Sequence, residues 1–168
     1  GAGILVQMPD PILRERAGVH GLRLPDPGDY GSGLVFLPPD VDQRQACMDA
    51  FERITAAEGQ RFLGWRTVPV HEDVLGPTAR RAAPAIRQAF IGKGPETRTR
   101  ADFERKLYVL RKVMESWVRT SGLAQRKYFY IPSLSSRIMV YKGLLLATQI
   151  PRFFGDLADE AMVSSFAI

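Results

Sequence analysis

The chain has 168 residues, 45% of them apolar and 24% charged, which suits one domain able to bury a core without disulfides or structural metal. A single cysteine, Cys47, and two histidines exclude a disulfide framework and a zinc site of the usual spacing, and no apolar run approaches the roughly 20 residues that a membrane-spanning helix needs. The formal net charge of +5 raises the question of a nucleic-acid surface, but basic and acidic residues interleave, as in Arg14-Glu15-Arg16 and Glu104-Arg105-Lys106, so the expectation is a solvated basic surface.

The opening apolar run, Ile4-Leu5-Val6, predicts a strand that begins with no preceding turn or cap. Residues 9–33 hold Pro9, Pro11, Pro25, Pro27, Gly28, Gly31 and Gly33 and read as loop and turns around a short helix near residues 12–17. Leu34-Val35-Phe36-Leu37 predicts a second strand, stopped by Pro38-Pro39. Asp40 is placed to cap the next helix. That helix puts Cys47, Ala50, Phe51 and Ile54 on one face and ends at Gly59. Residues 62–68 predict a third strand and residues 84–92 a fourth.

The clearest helix follows. Thr99 and Asp102 form a capping pair, and Phe103, Leu107, Leu110, Met114 and Trp117 step along one buried stripe until Gly122. Trp65 and Trp117 are expected to anchor the core. Residues 128–131 and 138–141 predict two short strands joined by the turn 132–137 as a hairpin. Residues 144–156 suit a helix if Pro151 stands at a start or a break. The chain closes on a strand-like run at 163–168. Helices and strands mix without a βαβ repeat, which points to the α+β class in a single unit spanning 1–168.

The residues offer little complete chemistry. Gly28, Gly31 and Gly33 precede a strand and do not match a dinucleotide fingerprint, and Gly92-Lys93-Gly94 lacks the spacing of a phosphate loop. Cys47 sits at an apolar helix position with neither histidine near it in sequence, which reads as a core cysteine. His20 and His71 stand beside turns, and His71-Glu72-Asp73 reads as surface loop. Glu104 and Lys112 read as solvent-face residues, Glu104 meeting Tyr108 and Lys112 meeting Glu115 or Ser116. The most suggestive set is Ser135, Ser136, Arg137, Tyr141 and Lys142, a polar turn and strand that would set a cationic group at a cleft mouth; the plainer reading is a turn whose hydroxyls satisfy its own backbone.

Five segments occur in one order: GAGIL at 1–5, YGSGLVFLP at 30–38, LGWRTVPV at 63–70, FERKLYVLRK at 103–112 and SLSSRIMVYKGLL at 133–145. Together they resemble the class II glutamine amidotransferase domain of the glutamate synthase large (alpha) subunit. Ile138-Met139 departs from the pattern, where a Thr and an aliphatic residue are expected. The resemblance implies an interior portion of that domain, with a four-layer α/β/β/α sandwich of the N-terminal-nucleophile hydrolase type. It implies a reaction in which an N-terminal cysteine, its own α-amine acting as base, attacks the side-chain amide of glutamine and releases ammonia for reductive amination of 2-oxoglutarate. None of the family's catalytic residues maps onto this chain, whose residue 1 is Gly1, so the 168 residues alone are expected to be inactive, and Ser135, Ser136, Arg137, Tyr141 and Lys142 remain as residues that shape the site.

The resemblance places FMN and an iron–sulfur cluster in other domains of the parent, with no cofactor or metal in this chain. It implies the remainder of the large subunit as partner and glutamine as substrate of the complete domain; the single cysteine points to a reducing cytoplasm, and the charge scatter and short apolar runs point away from nucleic acid and membrane. A stand-alone, non-catalytic interaction module with the same fold is the alternative, and a basic nucleic-acid-binding domain is the third reading.

Overall fold

A computed structural model describes residues 1–160 and 162. The chain runs through β1 (Ala2–Gln7), α1 (Asp10–Val19), β2 (Tyr30–Leu37), α2 (Val41–Ala57), β3 (Arg61–Thr67), α3 (Pro77–Arg81), β4 (Ala85–Gly92), α4 (Arg100–Thr120), β5 (Ile138–Gly143) and α5 (Ile150–Phe153). Short 3₁₀ turns stand at Glu72–Val74, Arg126–Tyr128 and Gly155–Ala158. The run at 163–168, expected to be a strand, lies outside the described residues.

The strands form two antiparallel sheets, one of three strands in the order β2-β4-β3 and one pairing β1 with β5. Among the described residues all strand pairing is antiparallel, in keeping with the α+β class. Alternate residues of a strand face opposite ways, and β2 uses both faces. Tyr30, Leu34 and Phe36 join Val6, Phe90, Met139 and Tyr141 in one apolar cluster between the sheets. Val35 and Leu37 join Phe51, Leu107 and Leu110 in a second cluster beneath α2 and α4. The three-stranded sheet therefore lies between helices on one side and the β1–β5 sheet on the other, and every residue of β2 is buried.

The caps read from the sequence are present. The Asp40 carboxylate accepts the Gln43 amide at 2.9 Å, and the Thr99 hydroxyl accepts the Asp102 amide at 3.0 Å. The second half of the Thr99–Asp102 pair differs: the Asp102 carboxylate lies 3.3 Å from the Arg105 guanidinium.

Several expectations need correction. Residues 9–33 are more ordered than their Pro and Gly content suggests. Pro11 sits in the first turn of α1, where its missing N–H costs nothing. Arg14 donates to the Leu24 and Pro25 carbonyls at 2.6 and 2.7 Å, and the Tyr30 hydroxyl donates to Asp10 at 2.7 Å. These bonds draw the loop onto the helix and carry the chain into β2 four residues earlier than expected. Gly31 and Gly33 belong to that strand because other parts of the chain press on it: a β-carbon on Gly33 would lie 2.1 Å from the Ser133 carbonyl oxygen.

The hairpin expected over 128–141 does not form. Residues 126–128 make a 3₁₀ turn, and Tyr130 and Ser135 make single bridges to Phe36 and Ser32 along the edge of β2. β5 pairs instead with β1, matching Val6 to Met139 and Ile4 to Tyr141, because that register puts both strands' apolar residues on the inner cluster.

Of the 144–156 stretch only α5 is α-helical, with Pro151 in its first turn, and a 3₁₀ turn begins at Gly155. The stripe on α4 ends on Val118, at 3% exposure, because a 3.6-residue period drifts past 117. Trp117 is half-buried beside Arg53. Trp65 is likewise half-buried, its indole N–H donating to Glu52 at 2.9 Å. Both tryptophans flank the core and do not form its centre. No feature of the sequence pointed to α3.

Candidate functional site

Where the end of β5, the loop after β3 and the 3₁₀ turn at 126–128 approach one another, they leave an open cleft of about 680 Å³. Its floor is apolar and includes Phe36, Val70, Ile86 and Phe153. Lys127, Lys142, Tyr128, Tyr130 and Glu72 supply its polar side chains, and Gly1 and Gly143 lie at one end. The Lys142 ammonium stands 5.7 Å from the centre of the Tyr130 ring and 3.5 Å from its hydroxyl, so ring and hydroxyl together hold the cation at the wall. Phe36 backs the same ring at 5.9 Å. The lining contains no Cys, Ser, Thr or His, so the cleft has the means to bind and orient a group but holds none of the usual nucleophile–base pairs.

The structure divides the five residues singled out from the sequence. Lys142 lines the cleft. Ser135 and Ser136 lie away from it, buried against α4. There both hydroxyls donate to the Glu104 carboxylate, Ser136 at 2.6 Å, and the Ser136 amide donates to the same carboxylate at 2.9 Å. The Ser135 oxygen also accepts the Arg137 and Ile138 amides at 2.9 and 3.2 Å, the local turn chemistry expected of it, while the Arg137 side chain is exposed.

Glu104, read from the sequence as a solvent-face residue, is thus the clasp that lays residues 133–136 along β2. Its helical spacing to Tyr108 was legible; its reach across to another segment was not. Replacing Glu104 by alanine strands two buried hydroxyls, and the expected loss is about 2 kcal/mol of unfolding free energy by urea titration, with faster exchange at the Ser136 amide.

Tyr141 is fully buried and takes part in a second group missed from the sequence. Its hydroxyl donates to Asp156 at 3.2 Å, and burial, reinforced by that carboxylate, pushes the phenol above its ordinary range. Arg66 binds Asp156 through both terminal nitrogens at 2.9 and 2.6 Å and donates to Gln88 at 2.8 Å. One signal for Arg66 existed: it shares strand parity with the buried Val68, so a charge fell where an apolar residue belongs.

Cys47 is completely buried in the helical cluster, and loss of solvent pushes its thiol up to about 11. A thiol held protonated in an apolar surround is a poor nucleophile. His20 lies exposed with its Nδ1 3.1 Å from the Arg16 carbonyl oxygen, and His71, Glu72 and Asp73 are exposed. Among the described residues, no group of three His, Cys, Asp or Glu stands together as a metal site, and no helix is long and apolar enough to cross a membrane.

Compared with known proteins, residues 1–168 match the family model described as glutamine amidotransferases class-II. The chain is 44% identical over 168 residues to the large chain of NADPH glutamate synthase from Bacillus subtilis (strain 168), which covers 100% of this chain and 11% of that one. It is 38% identical over 169 residues to the corresponding large chain from Azospirillum brasilense, again covering 100% and 11%. It is 36% identical over 168 residues to the chloroplastic ferredoxin-dependent glutamate synthase of Oryza sativa subsp. japonica, covering 100% and 10%. The chain thus spans about a tenth of the length of these relatives.

Proposed function

Since the chain belongs to the class II glutamine amidotransferases, we propose that it serves in the glutamine-hydrolysing domain of a glutamate synthase large chain. The observation that carries this reading is 44% identity sustained over all 168 residues to a protein of that name. In that setting the complete domain releases ammonia from glutamine, and the complete polypeptide uses the ammonia to aminate 2-oxoglutarate reductively. The remainder of the large chain is the partner of these residues, and the site of action is the cytoplasm.

The same reading extends to the fold. Leu5, Ile138 and Val140 lie on the face of the β1–β5 sheet turned away from the inner cluster and are half-buried. That apolar face is where an outer helical layer would complete a four-layer α/β/β/α sandwich.

FMN and an iron–sulfur cluster belong, on this reading, to other domains of the parent. The residues described here do not fit either group. A cluster needs several thiolates, and the one cysteine is buried and protonated. Of the glycines compared with a dinucleotide fingerprint, Gly31 and Gly33 are occupied in packing against Leu107 and Ser133.

Hydrolysis by these 168 residues alone is not expected. The chain's only thiol is unsuited to attack, and the cleft lining holds no Cys, Ser or Thr to take its place. Incubated with glutamine, the purified chain should release no ammonia above the buffer blank, whereas the polypeptide carrying all of the relatives' length should release it. Ammonia released by the 168 residues and abolished by Cys47→Ala would overturn the assignment of Cys47 to the core. Failure of the long polypeptide to release ammonia would overturn the reading itself.

A further inference from the structure

Arg66 and Asp156 form the one salt bridge recorded among the described residues in which both side chains are almost wholly buried, at 3% and 2% exposure. Burying two charges is repaid only when geometry is good and the remaining donors and acceptors find partners. Here they do. The guanidinium grips both carboxylate oxygens and also reaches Gln88. The Gln88 amide donates to Ser32 at 2.9 Å, and the Ser32 hydroxyl donates to the Ala89 carbonyl at 2.8 Å. Tyr141 completes the group from β5. One carboxylate is thereby tied to β3 and β5 directly and to β4 and β2 through Gln88.

The segment that carries this carboxylate is otherwise held by a few hydrogen bonds and by apolar residues that enter one cluster alone. After a last bond from the Ala2 amide to the Leu145 carbonyl at 3.2 Å the chain leaves the sheet, with Leu144 and Leu146 at 94% and 69% exposure. It returns through α5, which has four residues, and touches strand-like backbone at a single bridge, Val70 to Phe154. That bridge consists of two backbone bonds, the His71 amide donating to the Phe153 carbonyl at 2.8 Å and the Gly155 amide donating to the Pro69 carbonyl at 3.0 Å, and the Gln149 side-chain amide adds a bond to the Val74 carbonyl at 3.2 Å. Its apolar anchors, Ile150, Phe153 and Phe154, belong wholly to the cluster between the sheets. None belongs to the cluster under α2 and α4. Leu144, Leu145 and Phe153 form part of the cleft's wall.

We propose that residues 144–158 are a strap across the cleft, pinned at its far end by the Arg66–Asp156 pair and able to open as a unit while α2, α4 and the three-stranded sheet stay folded. The pair makes opening close to all-or-none, because a half-broken bond leaves a buried charge without a partner. The division into two clusters makes opening local, because the strap's apolar anchors lie outside the helical cluster.

Amide hydrogen exchange on the 168-residue chain tests this. Asp156→Asn keeps the shape and removes the charge. The expected result is exchange about a hundredfold faster or more at the His71, Phe154 and Gly155 amides, with the amides of α2 and α4 unchanged. Equal acceleration in α2 and α4 would mean that the pair supports the whole fold, and no acceleration at the three reporters would mean that it pins nothing; either result overturns the proposal. Should Asp156→Asn fail to fold, Tyr141→Phe removes one hydrogen bond from the same carboxylate. A several-fold acceleration confined to the same three amides is then expected, and a uniform or absent change overturns the strap.

Discussion

Gly33→Ala is expected to lower the unfolding free energy of the chain by about 3 kcal/mol or more, measured by urea titration. The added carbon would lie 2.1 Å from the Ser133 carbonyl oxygen and 3.1 Å from its carbon. Both belong to backbone, and that backbone is itself held: the neighbouring segment is bridged to Ser32 through Ser135 and clasped by Glu104. A flexible side chain would turn aside, whereas this segment has to leave the edge of β2. Gly18→Ala provides the contrast within one protein. Gly18 is exposed in α1 with nothing within 4 Å of an added carbon, so alanine there is expected to raise stability by about 0.5 kcal/mol through helix propensity and chain entropy. Equal effects at the two positions would show that the approach of residues 133–135 to β2 is wrong.

Phe90→Ala is the second large effect, an expected loss of about 3–5 kcal/mol in the same titration. Phe90 lies in the central strand of the three-stranded sheet with no exposed surface. Ser32 stands opposite it on β2 and Gly64 on β3. These small neighbours make room for the ring and offer nothing to fill the space once it has gone. Cavities that cannot collapse carry the highest cost. Deleting an aromatic ring at the surface gives the comparison: Tyr108 is 54% exposed, with the Arg111 and Lys112 cations beside its ring, so Tyr108→Ala should stay within about 1 kcal/mol.

Local order was legible wherever one segment decided its own state. The Asp40 and Thr99 caps, the Cys47–Ile54 face of α2 and the first four residues of the α4 stripe all follow from residues three or four apart, and all are present. The segments that resemble the amidotransferase family carried the family reading, because residue identity in order survives where packing detail does not. Errors arose where a distant segment decided. Gly31 and Gly33 look like turn residues, yet they are strand residues thinned to admit Leu107 and Ser133. Residues 128–131 have strand composition but bind the edge of β2 by one bridge.

The candidate site divides along the same line. Lys142 was singled out from its neighbourhood in sequence, and it does line the cleft. Ser135 and Tyr141 stood in the same short run and went elsewhere, one to Glu104 and the other to Asp156. By itself the sequence determined the family, the mixed class and the helix caps, since these depend on residue order and on spacings within a turn or two. Only the tertiary structure decided that β5 pairs with β1, that Glu104 clasps residues 135–136, and that Arg66 meets Asp156 across 90 positions. Those contacts exist because burial forces each remote polar group to find the partner that water no longer supplies.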